Sequence, residues 1–235
     1  MNVKLLVIIV TLSTILNAGV NVVCKAGIMD NNNAKKYINK VLKKEPKNIE
    51  CILKLANIHL KSGNLLKGYK LIARAYKINK EAVKKSDVVS IVDFALKMAD
   101  LAKKAKQNND TSLWNKIGDN FFDMGAYLEA IKVYSKSLEI NDMQADTGLK
   151  LALCFDKSNQ TDEAINELFI LIGNDEKDFY AHYYLAKILR YSINDKDSAM
   201  RFFGDAKSIL LFTKDDFTDL EYTTFINDIN RELGK

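Results

Sequence analysis

The sequence predicts an all-α chain built of antiparallel helix hairpins, on three grounds. Apolar and small residues recur at helical spacing over most of the chain. The stretch WNKIGDNFFDMGAYLEAIKVYSKSLEIN, Trp114 to Asn141, sets two such helices on either side of a glycine turn. The same order of large and small residues then returns upstream and downstream at a near-constant interval. With one proline and ten glycines among 235 residues, little interrupts regular structure, and 48% hydrophobic content is enough for a core.

The central stretch shows why each residue type is where it is. Trp114, Ile117, Gly118 and Phe121 fall at i, i+3, i+4 and i+7, one face of a helix. Ala130, Tyr134 and Leu138 repeat that spacing after DMGAY, where Gly125 ends the first helix. Gly118 and Ala130 are small so that two helices can approach, and Trp114, Phe121, Tyr127 and Tyr134 fill the space around them. This arrangement resembles the tetratricopeptide repeat, W-x2-L-G-x2-Y, then A-x3-F, then P, over about 34 residues. Two positions depart from the pattern: Ser137 stands for the usual Ala and Asp142 for the usual Pro. The resemblance implies an α-solenoid of antiparallel helix hairpins, a right-handed superhelix, closed by a C-terminal capping helix.

The elements then follow in order. Residues 1–26 form a separate segment: Lys4, an apolar run from Leu5 to Leu16, then small residues. The run is shorter than the roughly 20 residues a membrane span needs, and it reads as a secretory signal peptide cleaved after Ala18 or Ala26. The alternative is an uncleaved anchor reaching Val23. Residues 27–48 carry AKKYINKVLKKEP, the second helix of a partial repeat ending on Pro46. Residues 49–82 form a repeat with Leu55, Ala56, His59, Gly63, Ala75 and Tyr76 in register. Residues 83–110 are helical but several residues short of a repeat, so they form either a compressed hairpin or one long helix. Residues 111–144 are the central repeat. Residues 145–178 place Leu151, Ala152, Phe155, Ala164 and Leu168 in register. Residues 179–213 add Leu185, Ala186 and Leu189, then Ala199, Phe203 and Ala206 displaced by one residue through an insertion in YSINDKDS. Residues 214–235 form the cap, because the last repeat of such an array otherwise exposes apolar surface. Cys51 and Cys154 lie in apolar helical runs and read as two buried free thiols.

Little in the chain suggests catalysis. Neither His59 nor His182 sits in a metal or nucleophile motif, and each falls on a repeat core position. No catalytic, metal or cofactor residues are assigned, and the chain reads as a non-enzyme. A net charge of +5 spread along the chain is no nucleic-acid footprint. Two sequons, at Asn109 and Asn159, fall in predicted turns of an Asn-rich sequence, where chance accounts for them. The resemblance implies a protein or peptide ligand in a concave groove lined by first helices. A carboxylate clamp of Lys and Asn is not assembled: Leu53, Asn57, Asn115, Asp119 and Lys150 occupy the places it needs, and Asp119 would repel a carboxylate.

One stripe stands out. On the helix beginning at Phe179, the core face is His182, Leu185, Ala186 and Leu189. A second stripe of Tyr180, Tyr183, Tyr184, Lys187 and Tyr191 runs beside it, bordered by Arg190. It serves either inter-repeat packing or partner binding, and tyrosines with two cations suit a peptide bearing acidic and apolar residues. The sequence thus predicts a non-catalytic interaction scaffold, exported to a periplasmic or secretory compartment if the signal is cleaved. If the signal is retained, it predicts a membrane-anchored adaptor or envelope assembly factor, touching the membrane only through the N-terminal segment.

Overall fold

The structure, a computed structural model, describes residues 31–234. The signal-like segment 1–26 lies outside the described residues. The described chain has twelve α-helices and no strand, and among them no helix is long and apolar enough to cross a membrane. The described residues divide into two compact units, one running up to Glu129 and the other from Ala130 on.

The first unit opens with α1, Asn31–Lys44, which buries Ala34 and Ile38 at i and i+4 against the following helix. Pro46 lies two residues beyond its end, where a helix cannot continue. Asn48 caps α2, Ile49–Lys61, accepting from the Cys51 N–H at 3.0 Å. α2 buries Cys51, Ile52, Leu55 and Ala56 and turns through Ser62 and Gly63, whose φ of +74° favours glycine. α3, Leu65–Ile78, packs back on α2. The crossing is close at Gly68, where a Cβ would stand 2.5 Å from Leu60 Cδ2 and 3.2 Å from the Ala56 carbonyl.

The short segment resolves into unequal parts. α4, Lys80–Lys84, is a single turn capped by Asn79. A 3-10 turn, Val89–Ile91, leads into the long α5, Val92–Asn108, which packs on α3 and on the next helix. Val83, Val88, Val92 and Ala95 are buried, so the missing residues shorten the first helix and leave the core continuous. Asp110 caps α6, Thr111–Asp123, on the Leu113 N–H at 3.1 Å. Trp114, Ile117, Gly118 and Phe121 are buried on α6 as the periodicity predicts. Tyr69 of α3 sits between Phe94 and Phe121, with ring centroids at 5.3 and 6.4 Å.

Glu129, two residues into α7 (Tyr127–Leu138), is a buried carboxylate whose Oε1 accepts from the Leu66 N–H at 3.1 Å. Leu66 lies in the first turn of α3, where N–H groups have no intrahelical partner and Asn64 makes no side-chain cap. A side chain from 63 residues away therefore does the work of a cap. Its charge adds to burial in pushing the Tyr69 hydroxyl up to about 12.

In the second unit, Ala130, Val133 and Tyr134 continue α7 as buried residues. Ser137 and Asp142, the two departures from the repeat pattern, have a local explanation. The Gln144 amide donates to the Asn141 and Ser137 carbonyls at 2.6 and 3.2 Å, tying the helix end that a proline would otherwise terminate. α8, Ala145–Lys157, pairs with α9, Thr161–Asn174, and a Cβ on Gly148 would meet Leu171 Cδ2 at 2.9 Å. α10, Phe179–Ile188, pairs with α11, Lys196–Phe212. Between them the inserted residue is absorbed in a π-helical turn, Leu189–Ile193, the usual way a helix accommodates one extra residue. Leu168, Leu185, Ala186, Phe203, Ala206 and Leu210 form the heart of this core.

Three asparagines, Asn109, Asn159 and Asn194, end helices or turns at φ of 49°, 57° and 62°. They take the left-handed position that glycine usually fills, and both sequons begin at such a site. Cys154 is a buried free thiol, which burial pushes up to about 12. Cys51 is disulfide-bonded, which corrects the expectation of two free thiols. An apolar run marks a cysteine as buried but does not say which sulfur it meets.

Candidate functional site

The last helix, α12, Asp219–Glu232, starts with a capping box: Thr218 Oγ1 accepts from the Glu221 N–H at 3.3 Å, and Glu221 Oε2 accepts from the Thr218 N–H at 3.0 Å. It packs on α11, burying Ile229 completely. It also meets α10, where it covers part of the tyrosine stripe, Tyr180 and Tyr183 foremost.

The contacts run in chain order along both helices. At the N-terminal end, Phe179 meets Phe217 and Phe225 with centroids at 5.2 and 4.9 Å. Tyr180 meets the same two rings at 6.0 and 5.8 Å. One turn on, Tyr183 packs on Phe225 and Tyr184 and is only 6% exposed. Its hydroxyl donates to Asp228 Oδ2 at 2.5 Å. Lys187 Nζ lies 3.2 Å from that hydroxyl and 3.3 Å from the same carboxylate oxygen. At the C-terminal end, Arg190 Nε is 3.5 Å from Glu232 Oε2, and the Tyr191 hydroxyl donates to Glu232 Oε1. Because Phe179 meets Phe225, Tyr183 meets Asp228 and Tyr191, in the π-helical turn after α10, meets Glu232, the two segments run in the same direction.

The electrostatics follow from this geometry. Burial pushes the Tyr183 hydroxyl well above the usual tyrosine range, and donating to Asp228 pushes it further. Burial by itself would raise Asp228, but the Tyr183 hydroxyl and the Lys187 and Arg231 charges prevail and hold it below the usual carboxylate range. Glu232 is more enclosed still, its side chain 6% exposed, with Arg190 and Arg231 beside it. Removing one member of such a set strands its partner, which costs more than the pair contributes.

Of the six predicted partner-binding residues, Tyr180, Tyr183, Lys187, Arg190 and Tyr191 contact the chain's own C-terminal segment, Tyr191 while 63% exposed, and Tyr184 packs on the Tyr183 ring. Sequence reasoning missed the other half: Phe217, Phe225, Asp228 and Glu232. A signal for it exists. Phe225, Asp228 and Glu232 stand at i, i+3 and i+7, an aromatic–acidic stripe complementary to the tyrosine–cation stripe. His182 is buried on the core face, its Nδ1 2.9 Å from the Asp178 carbonyl and its ring against Phe202. His59 has a lowered affinity for a proton through burial, with Lys35 and Lys67 adding to the effect. Among the described residues, no group of three or more His, Cys, Asp or Glu is placed to hold a metal ion.

The fold and site define a class: an all-α array of tetratricopeptide-type hairpins with a helix docked on a first-helix face. No protein-family model matches the chain, and no curated protein matches it. Solved structures are similar to it. A crystal structure of MamA is 18% identical with a TM-score of 0.44, covering 80% of this chain and 92% of that one. The TPR2AB domain of yeast Sti1, in its complex with pHSP90, is 14% identical with a TM-score of 0.48, covering 87% and 80%. YrrB, a TPR protein with an unusual peptide-binding site, is 15% identical with a TM-score of 0.44, covering 73% and 91%. The assignment of hairpin type rests on the burial of the repeat residues themselves.

Proposed function

We propose that the protein is a non-catalytic scaffold that binds other proteins by receiving helical or extended segments on its first-helix faces. One observation carries this reading: the chain already holds such a segment. α12 rests on α10 and the π-helical turn after it, through aromatic contacts at one end and carboxylate contacts to Tyr183, Lys187, Arg190 and Tyr191 towards the other. Large rings with polar tips and cations paired to enclosed carboxylates are the chemistry of interaction hot spots. A partner that used the same six residues would have to carry an equivalent aromatic–acidic stripe and displace α12.

Export to a periplasmic or secretory compartment belongs to the same proposal and is supported by the signal-like residues 1–26. N-terminal sequencing of the mature protein tests it: a chain beginning at Met1 in the membrane fraction makes it an anchored adaptor instead. The scaffold reading is tested by affinity capture from the native host with the full chain and with Tyr184→Ala and Arg190→Ala. A reproducible partner set captured by the parent supports it. Capture no greater than that of an unrelated helical protein overturns it, and loss of the set in the variants locates it on the stripe from Tyr180 to Tyr191.

A further inference from the structure

We infer that a cleft between α3, α5 and the α1–α2 loop binds an acidic protein segment. It lies on residues other than the α10 stripe and stands or falls separately from it. The cleft has a volume of about 600 Å³, within the range of ligand pockets. Five cations line it, Lys47, Lys70, Arg74, Lys77 and Lys103, and no carboxylate does. They come from three elements. Lys70, Arg74 and Lys77 stand at i, i+4 and i+7 on one face of α3, Lys103 comes from α5 and Lys47 from the loop.

Two neighbouring carboxylates, Glu45 and Asp100, hydrogen-bond to residues outside the lining. Glu45 accepts from the Asn48 amide at 2.8 Å. Asp100 accepts from Lys104 at 2.8 Å, a bond that holds it below the usual carboxylate range, and it reaches Lys103 and Lys77 only as a nearby charge. The loop wall is tied down, because the Arg74 guanidinium donates to the Pro46 carbonyl and keeps its remaining N–H groups for another acceptor.

The rest of the lining is apolar, from Ala73, Ile78 and Ala99 among others. Cations over an apolar floor fit a segment that alternates acidic and aliphatic side chains. A bare phosphate would leave the floor unused, and a nucleic acid would need a longer basic track than one cleft provides. The five cations are solvent-exposed, so attraction between them and a ligand is screened and falls with salt.

The test is fluorescence anisotropy on the full chain with a labelled peptide of alternating Glu and Leu, competed by inorganic phosphate and by single-stranded DNA. Lys77→Glu with Lys103→Glu should weaken peptide binding by roughly ten-fold or more, and Lys77→Gln with Lys103→Gln by less. The control pair Lys157→Glu with Lys196→Glu changes net charge equally on exposed residues of the other unit and should leave binding within about two-fold of the parent. Circular dichroism checks that each variant is folded. The inference is overturned if the peptide does not bind. It is also overturned if the control pair weakens binding as much as the cleft pair, or if phosphate or DNA displaces the peptide at lower concentration than unlabelled peptide does.

Discussion

Tyr183 Oη and Asp228 Oδ2 lie 2.5 Å apart, joining helices whose residues are 45 positions apart in sequence. The phenol is buried against Phe225 and the carboxylate is shared with Lys187. The bond therefore fixes both the depth and the register of the C-terminal helix. Tyr183→Phe keeps the ring and removes the donor. It should cost about 1–2 kcal/mol, a hydrogen bond to a charged acceptor, and the loss of amide protection should be concentrated in α12. Tyr183→Ala should cost about 3–5 kcal/mol through the cavity it leaves. Urea unfolding and hydrogen exchange read both effects. A Phe variant as stable as the parent would mean that the hydroxyl contributes nothing.

The same pair predicts a pH dependence. Asp228 has a depressed folded-state pKa, so its contribution is fully present above the unfolded value of about 3.9 and is lost as pH falls through the folded one. Tyr183 is shifted up, so its contribution is present below the unfolded value of about 10 and is lost as pH rises beyond it. Urea midpoints measured from neutral to acid pH should therefore fall more steeply for the parent than for Asp228→Asn. Parallel slopes would remove Asp228 from the account.

Trp114 is 3% exposed on α6. Trp114→Ala should destabilise by about 3–5 kcal/mol, as for any large buried aromatic, and the loss should spread to neighbouring hairpins through nearest-neighbour coupling. A loss below about 1 kcal/mol would show that the ring is not structural.

Glu129 replaces a missing cap at Leu66. Glu129→Ala should cost about 1–3 kcal/mol by orphaning that N–H and opening a gap. Glu129→Gln keeps an oxygen in place and should cost less. Backbone exchange at Leu66 separates this role from bulk packing: protection there should drop in the Ala variant and persist in the Gln variant.

The sequence by itself determined the helix hairpins, because their causes are local. The i, i+3, i+4 spacing on α6, the Gly125 turn at φ +70° and the capping residues Asn48, Asp110 and Thr218 all act within a few residues of where they stand. Burial of Trp114, Ile117 and Phe121 follows from that spacing because a helix has only one inner face.

Only the tertiary structure decided what the local patterns leave open. The capping of α3 by Glu129 depends on residues 63 apart in sequence, and neither the division of 83–110 into a five-residue α4 and a long α5 nor the disulfide at Cys51 follows from a local pattern. Nor does the seat of the tyrosine stripe. Its amphipathic pattern says that Tyr183 and Lys187 face something apolar and acidic, and Phe225 and Asp228 say the same of a tyrosine and a cation. Helical periodicity orients a face but names no partner. The two stripes meet because α11 turns the chain back and α12 packs on α11, burying Ile229.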